Sequence, residues 1–252
     1  MITLLRREKY DLAVDFISTP GSSLLTFLTG AKQRIGYRLR YRTWAYTHPV
    51  KRHIEPVYNP LTKFDLVKGI NVDSSNLQPE VYIDELDREF ANRVWQRFMG
   101  DEYDLVIAVA PWSKREWRRW NLESLLKVMR EVSEERDICW ILFADERERQ
   151  ELEVIENDPD LDVKWAGARN MLQAAALIQC CKAMLCVDNG LKHVSVAVST
   201  PALTIFTGSD PVVWNPPDDE KYPYLNFYDR SGYVAEIEEV SGKLIQLLKS
   251  NN

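Results

Sequence analysis

Asp188-Asn189-Gly190-Leu191-Lys192-His193 carries the densest chemistry in the chain, because it joins an apolar β-type run, Ala183 to Val187, to a helix-type pattern. A helix start beside a glycine presents free backbone N–H groups and the positive end of the dipole, which together suit a diphosphate. Lys192, a point charge, and His193, a hydrogen-bond donor, fall in the first turn and could reach the same anion. The spelling equally fits an Asx-type N-cap followed by a solvated Lys and a packed His.

Ala110 to Trp120, APWSKREWRRW, follows another apolar run. Lys114, Arg115, Arg118, Arg119 and later Lys127, with Ser113 beside them, read as a phosphate clamp or as a solvated charge run over packed tryptophans. At Ala144-Asp145-Glu146, after ICWILF, a carboxylate is placed to accept from a ribose diol or to favour a helix N-terminus. Asp15, closing YDLAVDF, reads as a turn residue. Between Lys32 and Arg52 there are seven basic residues, Lys32, Arg34, Arg38, Arg40, Arg42, Lys51 and Arg52, and no acidic one, with Tyr37, Tyr41, Trp44 and Tyr46 interleaved. That stretch is an anion-binding surface or an exposed loop. Asp218-Asp219-Glu220 lies in a Pro-rich loop and reads as solvated, not as a metal site. The Gly-x-Ser-x-Gly elbow of a serine hydrolase is absent from the sequence.

These loops need strands and helices to hold them. Short β-type runs alternate with helix-type patterns, the signature of parallel α/β sheets. Strands are expected at Tyr10 to Ile17 and Gln33 to Tyr37, with a helix at Ser22 to Leu28, then a polar, proline-interrupted stretch with a helix at Leu61 to Lys68. Asp84 to Met99 reads as an amphipathic helix, and a domain boundary is expected near Gly100. Beyond it the pattern predicts strands at Asp104 to Ala110, Ile138 to Phe143, Leu161 to Trp165, Ala183 to Val187 and Ala202 to Phe206. Helices are predicted at Asn121 to Val132, Asp145 to Ile155, Asn170 to Cys181 and Gly190 to Val198, which completes a doubly wound unit. The division is therefore a partial N-terminal domain over 1–99, a nucleotide-binding domain over 100–234 and a final helix over 235–252.

With 252 residues, 45% of them hydrophobic, the chain can bury a real core, and disorder is excluded. A net charge of −6 argues against bulk binding of nucleic acid, so an anionic partner must meet a local basic patch. No apolar run approaches the roughly 20 residues of a membrane span, and Met1 to Tyr10 is charged, unlike a signal peptide. Cys139, Cys180, Cys181 and Cys186 lack Cys-x-x-Cys spacing and read as buried, reduced thiols of a cytoplasmic protein.

The order strand, Pro-x-Ser, Arg-Arg-Trp, strand, Asp-Glu, then D-N-G-L-K-H and T-G-S-D-P-x-x-W-x-P-P resembles glycosyltransferase family 9, the ADP-heptose:lipopolysaccharide heptosyltransferases. LLRREKYDLAVDF, LTGAK and RIGYRLRYR are similar to that family's N-terminal domain, so the resemblance spans nearly the whole chain. It implies an α/β fold of GT-B type, two Rossmann-like halves of which the N-terminal one is incomplete here. It implies heptose transfer from ADP-heptose to a lipopolysaccharide inner-core acceptor, with no metal and no cofactor, by a cytoplasmic enzyme peripheral at the inner membrane. By position, Asp188, Asn189, Gly190 and His193 match the donor diphosphate loop, and Arg118 stands where the family usually has the Lys of Lys-Arg-Trp. Ser113 matches a small hydroxyl residue near the phosphates, Glu146 a ribose contact, and Arg169, Asn170 and Met171 the segment beside the base. Arg38, Arg40 and Arg42 fall on the half that faces the phosphorylated acceptor.

Two departures bear on activity. The family usually begins with a strand, a Gly-x-Gly-Asp-like turn and a helix ahead of the equivalent of Leu5, and the Asp of that turn is its proposed general base. Nothing here matches it, so the base is unassigned, and a nucleotide-sugar-binding protein without transferase activity, or one half of a split enzyme, stands as the alternative. Ser199 also replaces a frequent Gly before Thr200-Pro201, and Thr207-Gly208-Ser209 replaces Gly-Pro-Thr.

Overall fold

The computed structural model describes residues 2–52, 54–70, 79–98, 103, 105–227 and 235–250. The chain forms two compact units, Met1–Leu77 and Gln78–Asn252.

The first unit holds α1 (Ile2–Arg7), β1 (Leu12–Asp15), α2 (Pro20–Leu28), β2 (Gln33–Tyr37), β3 (His48–Val50) and α3 (Asn59–Val67). Its strands form a parallel sheet in the order β1-β2-β3. Thr19 caps α2 by accepting from the Ser22 N–H while the Ser22 side chain accepts from the Thr19 N–H, and Pro20 fits the first turn, where no N–H is needed. The apolar centre is small, Ile35, Tyr37 and Leu66 with Val14, Leu39, Val50 and Ile70 against them.

In the second unit, α4 (Glu85–Phe98) precedes β4 (Leu105–Ala110), α5 (Leu122–Ser133), β5 (Ile138–Leu142), α6 (Arg149–Glu156), β6 (Asp162–Trp165) and α7 (Met171–Cys180). Then come β7 (Ala183–Val187), α8 (Gly190–Ala197), β8 (Ala202–Phe206), α9 (Pro211–Trp214), β9 (Tyr224–Asn226) and α10 (Ile237–Ser250). All six strands run parallel in the order β6-β5-β4-β7-β8-β9. Because side chains alternate along a strand, Leu105, Ile107 and Val109 of β4 enter one apolar layer with α5 and α10, while Val106, Ala108 and Ala110 enter the other with α4, α7 and α8. The chain leaves β4 toward β5 on one side and β7 toward β8 on the other. That reversal opens a crevice outside the strands' carboxyl ends.

The boundary expected near Gly100, which lies outside the described residues, is displaced. The division falls after Leu77, because α4 buries Ala91, with Phe90, Val94, Trp95 and Phe98, in the layer shared with α7. The final helix is likewise no separate element: Val240, Leu244, Leu247 and Leu248 of α10 complete the opposite layer. Cys139, Cys181 and Cys186 are buried as expected, but Cys180 is exposed at the end of α7. Burial pushes the Cys139 and Cys186 thiols up to about 12. Ser199 sits at φ +63°, the left-handed conformation that a glycine would hold more cheaply. No helix among the described residues is long and apolar enough to cross a membrane.

Candidate functional site

A cavity of about 560 Å³ lies at the carboxyl ends of β4, β5, β6 and β7. One wall is the start of α8. Asn189 caps that helix by accepting from the Lys192 N–H at 3.1 Å, and its amide group donates to the carbonyls of Ala110 and Trp112 at 3.1 and 2.9 Å. One side chain thus ties the loop after β7 to the loop after β4 and leaves Gly190 and His193 on the cavity wall.

Beneath this wall lies a charge cluster. Asp188, 2% exposed, accepts from Lys192 Nζ at 3.1 Å and from Ser209 Oγ at 2.5 Å, and it pairs with Arg118 at 3.1 Å. Lys192 is fully buried, also donates to the Trp214 carbonyl at 2.6 Å, and sits over the Phe206 ring. Burial lowers its pKa and Asp188 opposes that. The Arg118 guanidinium is stacked over Trp117 at 4.7 Å and lies 5.9 Å from the Trp214 ring, and its buried Nε has no hydrogen-bond partner. Trp117 docks against the loop after β8: a Cβ on Gly208 would meet its ring at 2.7 Å, and Thr207 Oγ1 donates to its carbonyl. Burial pushes His193 down to about 4, with Lys192 adding to the effect, so the imidazole is neutral at pH 7. Two cations therefore face one carboxylate, and one positive charge stays uncompensated at the cavity wall, where Lys114 and Arg115 add to it.

The loop after β5, next to the β4 loop in the sheet, has the opposite sign. Asp145 and Glu148 line the cavity there, with Glu148 accepting from the Asp145 N–H at 2.8 Å and its pKa raised by burial while Arg119 and Lys114 oppose the rise. Phe143, Ala144, Ala166, Ala168, Met171 and Ala174 give the β5 and β6 side of the wall an apolar surface, with Arg169 and Asn170 beside it.

A family model described as glycosyltransferase family 9 (heptosyltransferase) matches residues 1–230. The chain belongs to glycosyltransferase family 9. No curated protein matches the sequence. Among solved structures it is similar to a family 9 glycosyl transferase from Veillonella parvula, at 14% identity and TM-score 0.82, covering 99% of this chain and 78% of that one. It is also similar to the E. coli ADP-heptose LPS heptosyltransferase II, at 20% identity and TM-score 0.75, covering 99% and 80%. E. coli heptosyltransferase WaaC with ADP follows at 16% identity and TM-score 0.64, covering 99% and 75%. These neighbours place the family 9 chain in the GT-B fold.

Of the residues expected at the family 9 donor site, Ser113, Arg118, Asp188, Asn189, Gly190, His193, Arg169, Asn170 and Met171 line this single cavity. Lys192 does not: it points under the wall and holds Asp188. Glu146 is also displaced, its side chain 79% exposed and 3.8 Å from Arg149, and Asp145 and Glu148 occupy the wall instead. The cause is local, since Asp145 to Glu148 form a turn and the helix starts only at Arg149. Arg119 turns away to the Ser113 carbonyl and the Trp112 ring, and Lys127 pairs at the surface with Glu238. Asn170 caps α7 by accepting from the Gln173 N–H. Trp214 and Ser209 were missed, although both lie in the T-G-S-D-P-x-x-W string; their role depends on contacts with Lys192, Arg118 and Asp188 from another loop.

In the first unit Arg38 and Arg40 are exposed, whereas Arg42 Nη1 donates to the Ser18 carbonyl at 2.7 Å. Arg34 likewise holds the Ala31 and Ala45 carbonyls. Asp15 is buried and accepts from the Ile17 and Ser18 N–H groups and the Tyr46 hydroxyl. Burial alone would raise its pKa, but these bonds outweigh that and lower it. Asp218, Asp219 and Glu220 are exposed in a loop, and among the described residues no three His, Cys, Asp or Glu side chains converge as metal ligands.

Proposed function

We propose that this chain transfers a sugar from a nucleoside diphosphate sugar, ADP-heptose on the family reading, to a lipopolysaccharide core acceptor, without a metal or other cofactor. The observation that carries the donor half is the lining of the cavity: surplus positive charge and a helix N-terminus at the ends of β4 and β7, carboxylates after β5, and an apolar surface toward β6. A diphosphate fits the first, a ribose diol the second, and a flat base the third. Charge developing on the leaving diphosphate as the sugar departs would be met by the Gly190 end of α8 and by Arg118, both already in place. Glu148 or Asp145 takes the ribose role, and Arg38 and Arg40 face the anionic acceptor from the first unit, with the protein working on the cytoplasmic side of the inner membrane.

Isothermal titration with ADP tests the donor site directly: binding is expected, and no heat at millimolar ADP would remove the claim. A second reading, nucleotide-sugar binding without transfer, is favoured by Asp15, whose carboxylate is taken up by turn and tyrosine donors and is not free to accept a proton. Turnover of ADP-heptose on a Kdo-lipid A acceptor by the isolated chain would refute that second reading.

A further inference from the structure

The two units carry opposite charge. Residues 1–77 hold twelve Lys and Arg against six Asp and Glu, and residues 78–252 hold twenty against thirty-two. The small first unit is thus net positive on an acidic protein, and within its Lys32 to Arg52 stretch five cations, Lys32, Arg38, Arg40, Lys51 and Arg52, are exposed. Lys32 is the partial exception, 3.8 Å from Asp11 with both side chains almost fully exposed.

Among these cations sits an exposed aromatic cluster. Trp44, 56% exposed, stands edge-on to Phe27 at 5.2 Å, and its Nε1 donates to the Tyr41 carbonyl. Tyr41 is 77% exposed and Phe27 41%. Leu24, exposed one turn before Phe27 on α2, extends the same face. Arg34 packs on the Phe27 ring and Arg40 on the Tyr41 ring, so charge borders the apolar surface directly. Trp and Tyr side chains pair an apolar ring with a polar tip and favour the zone where lipid headgroups meet acyl chains. Basic residues beside them are drawn to the negative potential of anionic leaflets.

We propose that Phe27, Tyr41 and Trp44, with Arg34 and Arg40 on their rings and the exposed Arg38 and Lys51 at the adjoining ends of β2 and β3, form a docking surface for an anionic lipid bilayer. The aromatic rings enter the headgroup zone and the cations bind its phosphates. The proposal deepens the acceptor-side reading of this unit, and it rests on that reading only for its biological purpose. Docking would convert the search for a lipid-anchored acceptor from three dimensions to two.

Vesicle flotation tests it with the full chain, using phosphatidylcholine alone and phosphatidylcholine with about one third phosphatidylglycerol. Binding is expected only to the anionic vesicles and should fall in 1 M salt, where the screening length is about 3 Å. Trp44→Ser with Tyr41→Ser should weaken it about tenfold or more. Reversing Arg38, Arg40 and Lys51 to Glu should weaken it roughly 100-fold, about fivefold per cation. Arg42 is left alone because it holds the Ser18 carbonyl. Trp44→Phe provides a second readout, since quenching of tryptophan emission by brominated lipid should shrink in this variant. Equal binding to neutral vesicles, no binding to either, or unchanged binding in both multiple variants would overturn the proposal. Displacement from vesicles by a single-stranded RNA that binds more tightly would assign the surface to nucleic acid instead. ADP titration of the same samples reports on the donor cavity separately, so failure of one reading is not mistaken for failure of the other.

Discussion

Replacing Arg118 by alanine separates two roles that one guanidinium could fill. It pairs with the buried Asp188 at 3.1 Å, and it supplies the positive charge left over at the cavity wall. If it serves only Asp188, its loss is a matter of stability. If it holds a diphosphate, the loss appears in affinity. The stability cost should be small, because Asp188 keeps Lys192 and Ser209 as donors. Losing the contacts with Trp117 and Trp214 costs about 0.5–1 kcal/mol each. Removing the partnerless buried Nε returns about 1–3 kcal/mol, which largely offsets that. The net change should be within about 1 kcal/mol, a shift in Tm of about 2–4 °C at most. A charge-assisted bond to phosphate contributes about 1.5–3 kcal/mol, so ADP affinity should fall roughly 10- to 150-fold. Arg118→Lys should recover part of it, because the charge stays and the two-pronged geometry goes. Titration calorimetry on the three proteins, with thermal melts in parallel, decides the matter. An Arg118→Ala protein that binds ADP within threefold of the parent would show that the guanidinium is only a partner for Asp188.

Lys192→Met should behave in the reverse sense, lowering stability by about 3 kcal/mol through a half-broken buried pair, or roughly 6–12 °C in a melt; an unchanged Tm with lost ADP binding would place Lys192 on the ligand after all. Gly190→Ala meets no atom within 4 Å in the fold, so its melting should hold steady while ADP affinity drops; equal affinity would mean that the ligand does not approach the α8 backbone closely. His193 titrates at about 4 folded against 6.5 unfolded, so the unfolded chain takes up the proton first as pH falls, and stability drains away between about pH 6.5 and 4. Urea melts at pH 7 and 4.5 should show the parent losing about 2–3 kcal/mol more than His193→Gln, and identical losses would contradict the buried neutral imidazole.

The strands at the centre of each sheet were plain in the sequence. Ala183–Val187 and Ala202–Phe206 fall where the apolar runs put them, because strands covered on both faces need continuous apolar residues bounded by turns, whereas Gln33–Tyr37 shows only Ile35 and Tyr37 as large apolar residues and buries only its second half. His48–Val50 and Tyr224–Asn226 were not seen: three residues, one of them proline in the first case, carry no period to read. The helix over Asp84 to Met99 was found but given to the wrong unit, since an amphipathic pattern tells which face is buried and not against what. At the site the same distinction holds. Asn189, Gly190 and Ser113 were legible because strand ends and helix starts are local. The inward turn of Lys192 was not, for its partner carbonyl is on Trp214, 22 residues further along.

The placement of β4 beside β7 has a consequence for the nascent chain. Ile107 pairs with Ala183, so one edge of the central strand waits for about 75 more residues to be made. At roughly 5–20 residues per second that is about 4–15 s, during which an apolar strand bound for the middle of a sheet has β5 as its neighbour on one side only. The carbonyls of Ala110 and Trp112, which Asn189 will later hold, have no such donor until the ribosome has passed the same point. The cavity is therefore among the last features of its unit to be born, and a stalled or prematurely ended chain would present a sticky half-sheet to the cell's chaperones before it presented a finished cavity.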